Sequence, residues 1–212
     1  MSTSVPSKTA AQSIFSIQSC ASGSMYKGTE INVAGMFLAR AKIRIGRDVT
    51  TALTNYAGIL FQTSPKVSGD DWWTTDQVIT NGNLAVTGIT ASTVSGAHSA
   101  GGSTLTLSAS TGMNAGDMVF IKDATPAYEF VRFKSVSGAV GTLLDNLVYA
   151  HANGTAVFDQ AEEITVDLDF SAAKRFRMVV DTAAAGGQAA AAVGVALWVE
   201  AWMTSLDNIS TT

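Results

Sequence analysis

The sequence contains few cysteines, histidines and charged residues, and each shortage excludes a class of protein. Its 212 residues include one cysteine, Cys20, so no disulfide can form within the chain. Two histidines and one cysteine do not supply the roughly four nitrogen or sulfur ligands of a structural zinc site. We therefore expect packing alone to hold the fold, with Cys20 as a small buried apolar residue rather than a nucleophile.

Charge is scarce and slightly acidic. Lys, Arg, Asp and Glu make up 14% of the chain, against roughly 25% in average soluble proteins, and the net charge is -4. A nucleic-acid-binding protein would instead carry a basic patch for phosphate contacts. No apolar run approaches the ~20 residues that cross a bilayer, and the sequence does not open with a basic and then apolar leader. We expect no nucleic-acid or membrane partner, and synthesis in a cytoplasm.

Constellations typical of catalysis are missing from the sequence. His98 and His151 lie in predicted turns without a neighbouring nucleophile, which favours surface loop positions. Asp167 and Asp169 share one face of a predicted strand, where oxygen ligands for calcium are conceivable. Strict alternation with apolar residues favours the solvent side of an amphipathic strand instead, and an ion there is left open. We expect no enzyme, no cofactor and no catalytic or metal site.

The clearest positive signal is an alternating run from Val193 to Met203. Its two faces are Val193, Val195, Leu197, Val199, Ala201 and Met203 on one side, and Ala196, Trp198, Glu200 and Trp202 on the other. A period of two indicates a β-strand, and two tryptophans on the second face require a second apolar partner. That partner is either another layer of the same chain or another subunit. Trp198 and Trp202 are therefore candidate interface anchors, with an intrachain core as the alternative.

Two further groups are candidate interface residues. Arg40, Lys42 and Arg44 alternate with apolar residues, which predicts either a solvated strand face or a positive stripe that meets an acidic neighbour. Trp72 and Trp73 follow directly after two aspartates. They indicate a loop held in place by aromatic side chains, and a carbohydrate or ion site is the alternative.

Alternating segments with Gly, Asn and Pro turns predict a mainly β chain with little helix. Strands are expected at 14–19, 36–45, 56–62, 77–80, 84–90, 104–108, 118–121, 128–136, 141–148, 155–158, 163–170, 175–181 and 193–203, with an Asn81-Gly82 hairpin. Short helices at 48–60 and 183–192 are the uncertain part. The Ser, Ala and Gly-rich segment 91–103 is typical of a linker.

The element order predicts a discontinuous architecture. Residues 1–13 form a flexible arm, and 14–90 with 159–206 form a jelly-roll-like β-sandwich. Residues 91–158 form an inserted small β-barrel or sandwich domain, and 207–212 form a polar tail. Insertions are tolerated where chain ends lie close together at the surface.

Parts of the chain resemble a known class of proteins. The segments from Leu105 to Ile121, Glu129 to Gly138 and Leu143 to Val157 resemble small β-modules of tailed-bacteriophage virion proteins. The flanking domain, ending in Val193-Gly-Val-Ala-Leu-Trp-Val-Glu-Ala-Trp202, is similar to phage β-sandwich proteins of the capsid cement or decoration kind. The resemblance implies a particle component, often trimeric, without catalytic residues.

The function expected from these observations is a cement protein. It would form a homotrimer, bind the major capsid protein across subunit joints and stabilise the shell, and its location would be the virion, after synthesis in the host cytoplasm. A tail or neck component is the first alternative. A carbohydrate-binding module or adhesin that uses Trp72 and Trp73 is the second.

Overall fold

A computed structural model describes residues 10–20, 24–48, 57–81, 91–124, 126–182 and 197–207. The described strands are β1 (Gln12–Cys20), β2 (Met25–Lys27), β3 (Ile31–Asn32), β4 (Met36–Arg47), β5 (Ala57–Ser64), β6 (Trp73–Asn81), β7 (Ala91–Thr93), β8 (Thr104–Thr106), β9 (Met118–Lys122), β10 (Glu129–Ser137), β11 (Val140–Leu143), β12 (Ala156–Asp169), β13 (Arg175–Asp181) and β14 (Leu197–Asp207). The mainly β prediction is confirmed, since the described residues form strands and contain no helix.

These strands form two antiparallel sheets. The larger sheet has the order β1-β14-β4-β12-β9-β10-β11-β8, with β7 also paired to β12. The smaller sheet has the order β2-β13-β5-β6, with β3 also paired to β13. Side chains of β1, β4 and β14 pack against side chains of β5 and β13 in one apolar cluster. The two sheets are thus the layers of the predicted sandwich.

Strand β12 joins the two parts of the larger sheet. Its first residues pair with β7 and β9, and its last eight residues, Glu162 to Asp169, pair with β4. The sequence predicts two strands here, at 155–158 and 163–170, but the structure has one continuous strand. The predicted domain boundary between 158 and 159 therefore falls inside a strand and not in a loop.

A β-bulge marks the point where β12 changes partner. The register shifts between Phe158 and Ala161, and Gln160 in the bulge has a φ of 58°. The buried Arg47 side chain donates from Nη1 to the Gln160 carbonyl (3.0 Å) and from Nη2 to Glu162 Oε1 (3.0 Å). Bulges bend a strand and increase its local twist, so this bulge reorients the chain between the two parts of the sheet.

Other sequence predictions differ in detail from the structure. The segment predicted as a linker begins with strand β7, and Val94 and His98 form further bridges to Leu107 and His151. Gln12 and Ser13, placed in the arm, pair with β14, and Asp207, placed in the tail, is its last residue. The short helix predicted at 48–60 is wrong over 57–60, which belong to β5, and its residues 49–56 lie outside the described residues. The hairpin partner at 84–90, the helix at 183–192 and most of the arm and tail also lie outside them.

The buried apolar side chains form three clusters. The first lies between the two sheets and includes Ile43, Phe61 and Phe176. The second is built from residues between Val94 and Val157. The third joins them: its members are Met118, Phe120, Phe130, Phe158 and Trp198. The division into an outer domain and an insert stays a prediction, since β12 and the third cluster connect the two parts.

Candidate interaction surface

The outer face of the larger sheet brings together most of the predicted interface residues. We define the outer face by the side chains of Arg40, Lys42, Arg44, Glu163, Asp167, Glu200 and Trp202. Strand β4 lies between β12 and β14, so Arg40 is opposite Asp167, Arg44 is opposite both Glu163 and Glu200, and Lys42 is opposite Trp202. Cross-strand neighbours of opposite charge stabilise such a face.

At one end of the outer face, Arg40 forms a bidentate ion pair with Asp167. Its Nε lies 2.7 Å from Oδ1 and its Nη2 lies 3.1 Å from Oδ2. The hydrogen bond from Arg40 lowers the pKa of Asp167. Both side chains are exposed, so the pair contributes little to stability. Both Asp167 oxygens face a guanidinium here, which is unfavourable for the calcium ion that the sequence left open.

Arg44 is the centre of the charge arrangement. Its Nε lies 3.0 Å from Glu163 Oε2, its Nη1 lies 3.5 Å from Glu200 Oε1, and its Cζ lies 4.8 Å from the centre of the Trp202 ring. Lys42 also approaches Glu163, at 3.5 Å. The acidic neighbour that the sequence predicted for the basic stripe is therefore supplied by β12 and β14 of the same chain.

The two glutamates beside Arg44 respond differently to their surroundings. Burial alone would raise the pKa of Glu163, but the hydrogen bond and charge of Arg44, with a contribution from Lys42, lower it. For Glu200, burial dominates over the attraction of Arg44, and raises its pKa to about 7. Glu200 therefore changes charge near neutral pH, and the outer face becomes more negative as the pH rises.

The two tryptophans of β14 occupy different environments. Trp198 is 6% exposed, lies in the third cluster against Phe120 and Tyr128, and donates from Nε1 to Asp48 Oδ2 at 3.2 Å. This is the intrachain alternative, so Trp198 has no free surface for a second subunit. Trp202 is half-buried under Arg44 and remains on the outer face. Val199, Ala201 and Met203 are buried on the opposite side, as their alternation predicts.

A cleft of about 200 Å³ lies beside the outer face. Lys42, Arg44 and Glu163 line it from the outer face, and the segment from Leu144 to Val148 lines it from the other side. Leu144 and Val148 are 59% and 67% exposed, which is unusual for a pair of aliphatic residues flanking one cleft. The sequence pattern does not mark these two residues, because they fall inside the strand predicted at 141–148, which ends at Leu143 in the structure.

A buried charged group holds the segment that carries Leu144 and Val148. Glu129 accepts the backbone N–H of Val148 at Oε2 (2.9 Å) and of Tyr149 at Oε1 (3.4 Å). Its Oε1 also lies 2.5 Å from Nε2 of His151, whose Nδ1 lies 2.9 Å from Oδ2 of Asp123. The expectation of a surface His151 is wrong, because this side chain is fully buried and paired with two carboxylates. Only the tertiary fold reveals this, since 22 and 28 residues separate His151 from its partners.

The remaining tryptophans lie on the smaller sheet. The guanidinium carbons of Arg175 and Arg177 lie 4.6 Å and 4.1 Å from the centre of the Trp72 ring. Arg175 also donates to the carbonyls of Lys66 (2.8 Å) and Gly69 (2.6 Å), so it fastens the loop before Trp72. Trp72 thus has the predicted role of fixing this loop, whereas the neighbouring Trp73 is 64% exposed.

The part of the chain that the structure describes has neither a metal-binding cluster nor a membrane-spanning helix. Across the described ranges, no group of three or more His, Cys, Asp or Glu side chains is arranged to hold a metal ion. In the same residues, no helix has the length and apolar character needed to cross a bilayer. Cys20 is buried, which raises its pKa to about 12 and keeps the thiol protonated.

Comparisons with known proteins give no close relative. No protein-family model and no curated protein sequence matches this chain. Among solved structures, VP17, a capsid protein of bacteriophage P23-77, is similar at 10% sequence identity, with 94% of this chain and 100% of VP17 covered. The TM-score is 0.20, so we base no conclusion about fold or function on this similarity.

Proposed function

We propose that this chain is a structural component of a tailed-phage virion, of the cement or decoration kind. In this function it binds the major capsid protein across joints between capsid subunits and reinforces the shell. It assembles as a homotrimer and performs no catalysis. The segments that resemble phage virion proteins and the low content of charged residues, 14%, support this proposal.

The observation that carries the proposal is the outer face together with its neighbouring cleft. Arg44 stacks on the half-buried Trp202 and also lines the cleft, whose other side carries the exposed Leu144 and Val148. Aromatic residues and arginine are enriched where protein interfaces are strongest, and exposed aliphatic patches mark interaction sites. The outer face and the cleft beside it thus bring two exposed aliphatic side chains close to charged groups that are already partly desolvated.

Binding to the shell follows from apolar burial with charge matching. Covering Leu144 and Val148 contributes about 25 cal/mol per Å² of apolar area, before the cost of association. Lys42 and Arg40 are exposed cations at the edge of the surface, and acidic groups on the capsid would attract them and speed encounter. The internal partners Glu163 and Asp167 keep these cations positioned in the unbound protein.

The proposal is tested with capsid shells that lack this protein. We expect the purified protein to cosediment with such shells. The double variant Leu144→Asp/Val148→Asp should bind at least tenfold more weakly, because it places charges on a surface that becomes buried when the shell binds. Val67→Asp is the matched control, because Val67 is also an exposed valine, at 76%, but belongs to the loop of the smaller sheet. It is expected to bind like the unmodified protein.

Cryo-electron microscopy of the purified protein separates the possible virion locations. Closed trimers that decorate the shell agree with the cement function. Rings or tubes would place the protein in the tail or neck instead. Failure of the unmodified protein to bind shells, with dispersed monomers in the images, would contradict the proposal.

A further inference from the structure

An open groove runs along one edge of the sandwich. It lies between β6 of the smaller sheet and the C-terminal end of β12. It consists of two adjoining cavities of about 290 Å³ and about 250 Å³, which share Thr63 and Asp169. We call these two cavities the edge groove. Each cavity alone is smaller than a usual small-ligand site, but together they reach the size range of such sites.

The lining of the edge groove is aromatic in its inner part. Phe61, Phe170 and Phe176 line the inner cavity and belong to the first cluster. Trp73 lines the outer cavity and is 64% exposed, and it is paired with Thr63 at the start of β6. The adjacent Trp72 is covered by two arginines, but no such contact accounts for Trp73 among the described residues. A large aromatic ring is thus presented to solvent at the mouth of a groove.

Polar groups stand at the same mouth. Asp169 Oδ1 accepts the backbone N–H of Ser171 at 2.8 Å and also the Ser171 hydroxyl. These hydrogen bonds lower the pKa of Asp169, so the carboxylate is ionised at neutral pH. Within the described residues, Oδ2 receives no hydrogen bond and remains available as an acceptor. Thr63 and Ser171 add hydroxyl groups to the outer cavity.

We infer that the edge groove binds a saccharide, with Trp73 as the stacking platform and Asp169 as the acceptor for sugar hydroxyls. A pyranose ring has an apolar C–H face that fits against an aromatic face and a rim of hydroxyls that requires acceptors. An aliphatic ligand would satisfy the aromatic lining but would offer no hydroxyl group to Oδ2 of Asp169. The combination of an exposed tryptophan and an ionised carboxylate therefore favours a sugar over a purely apolar ligand.

The test uses the full chain and defined sugars. A glycan array that includes bacterial surface saccharides is screened first, and maltotriose, cellotriose and the trisaccharide of N-acetylglucosamine are titrated by calorimetry. We expect saturable binding to at least one probe. Trp73→Ala should weaken that binding at least tenfold, because the stacking surface is lost, and Trp73→Phe should weaken it less. Asp169→Asn, which removes the charge from the acceptor, should weaken it about threefold to tenfold.

Matched controls distinguish this site from the capsid-binding surface. Val67→Ala and the double variant Leu144→Asp/Val148→Asp should bind sugar like the unmodified protein, and Trp73→Ala should still bind shells. Thermal melting should show that Trp73→Ala is folded, as expected for a largely exposed side chain. Absence of binding on the array and to all three titrated sugars would overturn the inference. Sugar binding that is unchanged in Trp73→Ala, or weaker shell binding by Trp73→Ala without any sugar binding, would also overturn it.

Discussion

At the scale of single residues, His151 is a buried polar side chain held between two carboxylates. It is fully buried, and its two ring nitrogens face Asp123 and Glu129 at hydrogen-bonding distance. Burial alone would lower the pKa of His151, but the hydrogen bonds to Glu129 and Asp123 outweigh burial and raise it. For Asp123, the bonds from His151 and Thr155 outweigh burial and lower the pKa. At a pH below its raised pKa, the doubly protonated ring donates to a carboxylate on each side.

We expect His151→Gln to reduce the free energy of unfolding by about 3 kcal/mol at pH 6, because it leaves buried carboxylates without their cation.

The effect of His151→Gln should depend on pH. The raised pKa means that protonated His151 stabilises the fold fully below its ordinary pKa of 6.5, and that this contribution is lost as the pH rises through the raised value. The lowered pKa means that ionised Asp123 contributes above its ordinary 3.8, and loses this as the pH falls through the lowered value. The difference between the two proteins should be largest between about pH 4 and 6.5. Urea unfolding at several pH values measures it.

His98 provides the control for this prediction. It is half-buried and accepts the backbone N–H of Thr106 at Nε2 (3.1 Å), and no carboxylate of the described part of the chain is paired with it. His98→Gln should therefore cost less than about 1 kcal/mol, because only one hydrogen bond from a backbone N–H is lost. An equal loss in both variants, or a His151→Gln effect that does not change above pH 7, would show that His151 is not a charged group in the fold.

At the scale of elements, β12 is the strand that connects the two parts of the larger sheet. Its bulge at Gln160 places one non-glycine residue at a φ of 58°, a region that β-branched side chains rarely occupy. Arg47 holds the bulge through the Gln160 carbonyl and the Glu162 carboxylate. The bulge is therefore a specific part of the fold that the buried Arg47 side chain stabilises, and not an irregular strand end.

We expect Gln160→Val to lower the free energy of unfolding by about 1–3 kcal/mol, because valine is strained at this φ. Gln160→Asn should stay within about 0.5 kcal/mol, since asparagine tolerates the left-handed region. Thr165→Val is the control at an exposed position of the same strand, and it should be close to neutral. Chemical unfolding of the three variants measures these differences. Equal free energies of unfolding for Gln160→Val and Thr165→Val would contradict the inference that a β-branched side chain is strained at position 160.

At the scale of the whole molecule, the third cluster joins residues that are distant in sequence. Trp198 of β14 packs against Phe120 of β9 and Tyr128, with ring centroids 5.2 Å and 4.4 Å apart. Its indole N–H reaches Asp48, which also binds Lys122 at 2.6 Å. The Trp198 side chain thus connects β14 to the strands that were predicted to form an insert. Truncating this side chain should reduce the stability of the whole fold.

We expect Trp198→Ala to reduce the free energy of unfolding by about 3–5 kcal/mol, the usual cost of removing a large buried aromatic side chain. Trp202→Ala is the matched control on the same strand face, and it should cost about 1 kcal/mol, because only partial burial and the contact with Arg44 are lost. Denaturant unfolding followed by circular dichroism compares them. Equal costs would contradict the intrachain role of Trp198.

The alternation of apolar and polar residues was sufficient to predict much of this molecule. It predicted the mainly β class, the β13 bounds at 175–181 and the buried side of β14, since side chains of a strand alternate between its two faces. It also brought Arg40, Lys42 and Arg44 to one face. These features depend on neighbours along the chain, which the sequence displays directly.

The tertiary structure alone decided which faces meet and which groups become buried. The continuity of β12, the position of Trp198 under the third cluster and the burial of His151 all depend on partners far away in sequence. The same holds for the exposed side chains of Leu144, Val148 and Trp73. Leu144 and Val148 follow the end of β11, and Trp73 begins β6, so their exposure depends on the strand bounds and not on residue type. Local sequence determines the periodicity of a strand, whereas burial is a property of the surfaces that pack against it, and those surfaces come from elsewhere in the chain.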